Sequence, residues 1–142
     1  MNIYKYIKKH KIKIQSLVIY GLLVFFGISI IMLFSVSLWI GFGLQTRCNA
    51  AKLHYKGDCV EALTSYVDDK ENRTLQERNN AIWALGHIGD KRALPVLEKY
   101  SVGGECDHER YVCQYELEKA KGFINGKVNI PRFIWNSIVP LE

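Results

Sequence analysis

The sequence predicts an all-α protein in which one transmembrane helix precedes a short α-solenoid of stacked helix pairs. Three observations predict this fold. An uncharged apolar run extends from residue 17 to residue 42, and a run of this length can span a bilayer. Apolar residues recur at helical spacing between residues 76 and 88. The Gly-Asp pair at residues 57–58 recurs at residues 89–90, and repeat periods of roughly 20–50 residues are typical of solenoids.

The N-terminal segment predicts a single membrane crossing. Residues 1–16 form a basic cytoplasmic tail, and residues 17–44 form the transmembrane helix. At about 1.5 Å per residue the apolar run exceeds the roughly 30 Å of a hydrocarbon core, so it can cross with some tilt. The alternative is a cleaved signal peptide, but its apolar region has only about 7–15 residues. We therefore favour a retained anchor.

Charge sets the predicted orientation of this anchor at the cell membrane. Five lysines precede the apolar run, whereas Arg47 is the only basic residue directly after it, and cytoplasmic flanks carry the excess of Lys and Arg. The N-terminus is thus predicted to be cytoplasmic and the C-terminal domain extracytoplasmic. All 14 acidic residues lie beyond the run, balanced there by as many basic residues, so the net charge of +5 belongs to the tail. This balance argues against nucleic-acid binding, which needs a basic face on a folded domain.

The exported domain, residues 45–126, has its strongest helical signal at its centre. Between residues 76 and 88 apolar side chains, including Ala81 and Leu85, fall on one helical face. Gly89 can adopt the left-handed conformation that ends a helix. Asp90 can cap the next helix, which is predicted from residue 91 to residue 100. Two helices are therefore expected to meet at a tight corner.

Weaker copies flank this central pair. Apolar residues at helical spacing follow the Gly-Asp pair at residues 57–58, and Cys113 and Leu117 fall at the repeat positions of Ala81 and Leu85. Three units at one period indicate a solenoid, in which each helix pair is buried only against its neighbours. The first and third units depart most from the central one, as terminal repeats that act as caps do.

The run from Arg78 to Leu97 reads RNNAIWALGHIGDKRALPVL, and it resembles the HEAT-like repeat that is also found in phycobilisome lyases. The Ala-Leu-Gly, Ile-Gly-Asp and Arg-Ala-Leu-Pro segments resemble the standard positions of that repeat. The resemblance extends from about Cys48 to Gly126 and implies about two and a half HEAT-like helix pairs. It implies a protein-binding scaffold and not lyase chemistry, because repeats of this family mostly bind proteins.

All four cysteines follow the apolar run, on the predicted extracytoplasmic side, where disulfides persist. Four cysteines allow three pairings, and we predict a structural bridge from Cys106 to Cys113. Cys48 and Cys59 are candidates for a second bridge. A full helix over residues 49–55 would hold these two about 10 Å apart, beyond disulfide reach. Their pairing therefore requires an irregular first unit.

A metal site is the alternative use of Cys106, His108 and Cys113. Structural zinc needs four ligands in tetrahedral geometry, and the fourth would have to be Asp107, Glu109 or a distant histidine. A disulfide explains the same cysteines, with Asp107 as the cap of the following helix. The sequence has no His-Glu-x-x-His, Gly-x-Ser-x-Gly or phosphate-loop motif. It therefore predicts neither an enzyme nor a cofactor.

The last stretch, residues 127–142, is apolar without a clean period. We favour a cap that folds back over the open end of the solenoid, and the alternative is a partner-docking segment. For the polar and aromatic candidates, the sequence leaves two roles open, packing between repeats and contact with a ligand. The candidate interaction-surface residues are Arg78, Trp83, His87, Phe133 and Trp135.

The function that these features favour is a membrane-anchored extracytoplasmic scaffold that binds another membrane or extracytoplasmic protein. One alternative is a small accessory subunit of a larger membrane complex. In that case Ser37 and Gly41, at small-xxx-small spacing, would pack against another helix. The other alternative is a Cys/His metal or redox protein.

Overall fold

The computed structural model of the protein describes residues 3–104, 106, 110–139 and 141, and all regular secondary structure in this part of the chain is helical. The predicted all-α class is confirmed. The chain divides into two compact units, Met1–Val36 and Ser37–Glu142. The helices are α1 (Ile3–Lys52), α2 (Cys59–Asp68), α3 (Leu75–Ile88), α4 (Leu94–Lys99, preceded by a 3-10 turn at Lys91–Ala93), α5 (Gln114–Ile124) and α6 (Ile130–Trp135).

The first unit consists of the N-terminal part of α1. Every side chain from Ser16 to Val36 is exposed. By length and composition the apolar part of α1, Ser16–Lys52, could cross a membrane, although a signal sequence would meet the same criterion.

The second unit begins inside α1. The residues at positions 37, 41, 44, 48 and 51 are buried, a spacing that places them along one side of the helix. The last turns of α1 are thus the first helix of the folded unit, and no separate helix begins near residue 49. The transmembrane helix predicted from the sequence extends to residue 44, because apolar side chains that face a protein core look the same in sequence as those that face lipid.

Cys48 and Cys59 are brought together by the end of α1. The helix stops at Lys52, where the Tyr55 N–H still donates to the carbonyl of Ala51 at 2.9 Å, and the following turn reverses the chain. The two Cα atoms are 5.2 Å apart in a disulfide. The first repeat is therefore irregular in the way that this pairing requires, because the helix ends at Lys52.

Reciprocal side-chain caps start the next two helices. Asp58 accepts a hydrogen bond from the backbone N–H of Glu61 at 2.9 Å, and the Glu61 carboxylate accepts one from the N–H of Asp58 at 3.2 Å. Thr74 and Glu77 make the same exchange at the start of α3, at 3.2 and 2.8 Å. Such capping boxes satisfy two of the donors that a helix N-terminus leaves free.

The corner after α3 has the predicted geometry. Gly89 ends the helix in the left-handed conformation, with φ of 70°, and Asp90 accepts from the N–H of Arg92 at 2.9 Å. The helix predicted from residue 91 starts as a 3-10 turn and becomes α-helical at Leu94, with Pro95 in its first turn.

Replacing Gly89 by valine is expected to destabilise the second unit by roughly 1–3 kcal/mol, because a β-branched side chain would be held at positive φ. Its Cβ would also meet the guanidinium of Arg132. Thermal unfolding in mild detergent measures the change. Gly89→Asn is the control, since asparagine tolerates the left-handed region. Equal melting temperatures for Gly89→Val and the wild type would contradict the assigned corner.

A close helix contact and a buried amide position α5. A Cβ built on Gly86 of α3 would lie 2.6 Å from the Cα of Ala120 in α5, so the two backbones touch at this point. The buried side chain of Gln114 accepts from the N–H groups of Val102 and Gly103, and donates to the carbonyls of Tyr100 and Val112. This amide fixes both ends of the loop between α4 and α5.

The C-terminal segment folds back onto the start of the second unit. Trp135 is 1% exposed and, with Val139, lies directly against Gly41 of α1. Arg132 reaches the Gly89 corner. The segment therefore covers part of α1 and this corner. The face of Gly41 proposed for packing against another protein's helix is occupied by the chain itself, and Ser37 is fully buried.

Candidate functional site

A groove opens between the end of α1, α2 and α3, and we call it the α1–α3 groove. Its volume is about 230 Å³, below the roughly 300–1,000 Å³ of typical small-molecule sites. Buried Leu63 and Ala81 form its apolar floor. The lining residues are Thr46, Arg47, Ala50, Leu63, Tyr66, Glu77, Asn80 and Ala81. A space of this size and composition can hold one apolar side chain.

Arg47 forms the cationic part of the rim. Its guanidinium lies 4.9 Å from the ring centroid of Trp83, a cation–π contact that holds a flexible side chain in place. The Nη1 group donates to the Gly43 carbonyl at 3.2 Å, and Nη2 lies 3.4 Å from the Asn80 side-chain oxygen. Trp83 is only partly exposed, and its ring contacts both Arg47 and His87.

Glu77 forms the anionic part of the rim. Hydrogen bonds from the backbone and hydroxyl of Thr74 lower the pKa of Glu77, so the carboxylate stays ionised. Its other oxygen accepts from the Tyr66 hydroxyl at 3.1 Å. Burial and this carboxylate raise the pKa of Tyr66, which therefore remains a neutral donor. The guanidinium of Arg73 stacks on the Tyr66 ring at 4.5 Å.

His87, a predicted surface candidate, is instead 7% exposed. Its ring centroid lies 4.6 Å from that of Trp83 and 5.3 Å from that of Phe123. The amide Nδ2 of buried Asn129 lies 3.2 Å from Nδ1 of His87. An amide NH₂ group only donates, so this contact needs a neutral imidazole. Burial, with the nearby positive charge of Lys119, lowers the pKa of His87 from 6.5 to about 4.

Acidification is therefore expected to destabilise the second unit through His87. In the unfolded chain His87 takes up a proton at about pH 6.5, whereas in the folded chain its pKa is about 4. The stability that neutral His87 contributes is therefore fully present above pH 6.5 and is lost as the pH falls towards 4. Between pH 7 and pH 5 we expect a loss of roughly 1–2 kcal/mol, discounted for the part of the ring near solvent. Thermal unfolding at both pH values measures it. The difference in stability between pH 7 and pH 5 should be smaller in His87→Gln than in the wild type. Equal differences in the two proteins would contradict the role of His87.

The other sequence-predicted residues are not brought together. Arg78 is buried at the start of α3, Trp135 is a core residue, and Phe133 is 76% exposed on α6. Cys106 and Cys113 form a disulfide with Cα atoms 4.6 Å apart. All four cysteines are thus disulfide-bonded. His108 and the proposed cap Asp107 lie outside the described residues.

The groove itself was not predicted from the sequence. Its lining residues carry no common motif in the sequence, because they come from three separate helices. One signal in the sequence could have pointed to its anionic rim, because Thr74-x-x-Glu77 is a capping-box pattern.

The chain is similar to a known repeat family over its central helix pair. The family model described as PBS lyase HEAT-like repeat matches residues 77–102, which comprise most of α3, the Gly89 corner and α4. This match supports the HEAT-like repeat predicted there. No curated protein and no solved structure matches the chain.

Proposed function

We propose that the protein is a membrane-anchored extracytoplasmic scaffold that binds another membrane or extracytoplasmic protein through the α1–α3 groove. The observation that carries the proposal is the groove itself, whose apolar floor is bordered by an oriented cation and an oriented carboxylate. Pockets that exclude water around one apolar anchor are where protein interfaces concentrate their binding energy. The likeness to HEAT repeats supports a scaffold, since stacked helix pairs offer such surfaces.

Two further observations support the location. The exposed apolar side chains from Leu17 to Val36 cover about 30 Å of helix at 1.5 Å per residue, which equals a hydrocarbon core. Both cysteine pairs are disulfide-bonded, as expected in an oxidising compartment. In this proposal the end of α1 and the two following helix pairs form the short α-solenoid, and the lysine-rich tail is cytoplasmic.

Site-specific photo-crosslinking in intact cells tests the groove. A photoreactive amino acid at Ala50, which is exposed at the rim, should yield one discrete adduct with a partner protein. The same amino acid at exposed Glu98 on α4 should not. Thr46→Arg, which places a long side chain in the groove, should reduce the Ala50 adduct by roughly tenfold or more, as expected for the loss of a hot-spot contact.

The controls separate the groove from the anchor. The chain should stay in the membrane fraction after an alkaline carbonate wash, with or without Thr46→Arg. Adducts of equal yield from Ala50 and Glu98, or an Ala50 adduct that Thr46→Arg leaves unchanged, would exclude the groove as the binding site. Release of the chain by carbonate would exclude the anchor.

A further inference from the structure

A second cavity lies beside the start of α3 and the end of α4, away from the α1–α3 groove, and we call it the Arg78 pocket. Its volume is about 430 Å³, within the roughly 300–1,000 Å³ typical of ligand sites. Four of its lining side chains are cationic, namely Lys70, Arg78, Lys99 and Arg110. The chain after the apolar run has as many acidic as basic residues, so this cluster does not reflect a generally basic domain.

Arg78 is the buried member of the cluster. It is 5% exposed, its Nε donates to the Val67 carbonyl at 2.7 Å, and its guanidinium lies 4.8 Å from the Tyr100 ring centroid. Its Nη2 is buried without a hydrogen-bond partner in the described part of the chain. No carboxylate of the described residues forms an ion pair with it. A buried cation without a counter-ion destabilises the fold, so an anion bound beside Arg78 would offset this cost.

The neighbouring cations differ in how they are compensated. Lys99 is paired with Asp68 at 2.5 Å, and Asp68 also accepts from the Tyr100 hydroxyl at 2.6 Å. These hydrogen bonds lower the pKa of Asp68, so Asp68 is ionised and its negative charge offsets the positive charge of Lys99. Lys70 contacts the face of Tyr100 at 4.9 Å, and its positive charge also contributes to the lowered pKa of Asp68. Asp68 thus lies near both lysines, and Arg78 is the buried cation that forms no ion pair in the part of the chain that the structure describes.

We propose that the Arg78 pocket binds a phosphate group. A phosphate monoester carries about −1.5 to −2 charges at neutral pH. The positive charges of Arg78, Lys70 and Lys99 exceed the single negative charge of Asp68 beside them, so the pocket suits a phosphate better than a carboxylate. The guanidinium offers the planar donors that suit phosphate oxygens. The pocket has room for the group to which the phosphate is attached, with Tyr100 and Tyr111 as walls.

Titration of the full chain in mild detergent tests the proposal, with inorganic phosphate as the first probe and acetate at equal ionic strength as the reference. Phosphate should bind saturably and raise the melting temperature, and acetate should not. Lys70→Gln, an exposed position, should weaken phosphate binding by roughly tenfold, as expected for losing a hydrogen bond to a charged group. Arg78→Met should abolish it.

Matched variants keep the test independent of folding. Lys91→Gln removes an equally exposed cation outside the pocket and should leave phosphate binding unchanged. If Arg78→Met fails to fold, Lys70→Gln and Lys91→Gln still decide the outcome. Equal effects of phosphate and acetate, or equal losses in Lys70→Gln and Lys91→Gln, would overturn the proposal.

A second set of probes identifies the source of the phosphate. Glycerol phosphate is a soluble monoester, and nanodiscs of phosphatidylcholine with phosphatidic acid present the same group on a lipid. Saturable binding of glycerol phosphate that Lys70→Gln weakens indicates a soluble ligand. Binding only to the phosphatidic acid nanodiscs, again weakened by Lys70→Gln, indicates a lipid headgroup. Failure of both probes would overturn the proposal, while the α1–α3 groove would be unaffected.

Discussion

Trp135→Ala is expected to lower the stability of the second unit by roughly 3–5 kcal/mol, the usual cost of truncating a large buried aromatic side chain. Trp135 is 1% exposed, and its Cβ lies where a side chain on Gly41 would come within 2.8 Å. Truncating the indole ring would leave a cavity against α1. Thermal unfolding in mild detergent, followed by circular dichroism, measures the loss.

Phe133→Ala is the matched control for Trp135→Ala. Phe133 lies on the same short helix but is 76% exposed, and surface substitutions usually change stability by no more than about 0.5 kcal/mol. Similar melting temperatures for the two variants would mean that α6 does not pack on α1 as described. Faster hydrogen exchange at Gly41 in Trp135→Ala alone would locate the effect.

The second large effect is expected from Gly86→Ala, which should destabilise the unit by roughly 1–3 kcal/mol through overpacking. The added methyl group would lie 2.6 Å from the Cα of Ala120, and a backbone atom cannot rotate away as a flexible side chain can. A loss of stability in Gly86→Ala would be informative, because alanine in a helix interior is otherwise more stable than glycine by about 1 kcal/mol.

Gly43→Ala is the control for the direction of the stability change in Gly86→Ala. Gly43 is also within a helix, but a Cβ there would meet its nearest side-chain atom at an ordinary 3.5 Å. We expect Gly43→Ala to leave the melting temperature unchanged or to raise it. If Gly86→Ala behaves in the same way, α3 and α5 are further apart than the structure indicates.

The sequence could predict features that depend on neighbours along the chain. The α3 helix, the left-handed Gly89 and the cap at Asp90 each follow from a few consecutive residues, and the structure has all three. The sequence could not predict where α1 changes from an isolated helix to a core helix, because the identity of a leucine or serine does not show whether it faces lipid or the protein core. Gly86 against Ala120 is a tertiary contact between helices, so no local pattern reveals it.

The same limit applies to the candidate sites. The α1–α3 groove combines residues of three helices, and none of these residues is unusual on its own. Arg78 and Trp83 were recognised from the sequence as candidates, but their roles depend on Tyr100 and Arg47, which contact them only in the folded unit. The fold-back of Trp135 onto Gly41 is likewise set by shape, since small and large side chains fit together without a periodic signal.

The two disulfides also bear on how the protein can be made. The bridges join residues only 11 and 7 positions apart in the chain, and closing a short loop costs less entropy than closing a long one. The native pairings therefore have a statistical advantage over the exchanged pairings, which must all span the central helix pair. If the chain is exported from its N-terminal side, Cys48 and Cys59 can be oxidised before Cys106 has been synthesised. Mispairing is then avoided by the order of synthesis, without the help of a finished fold.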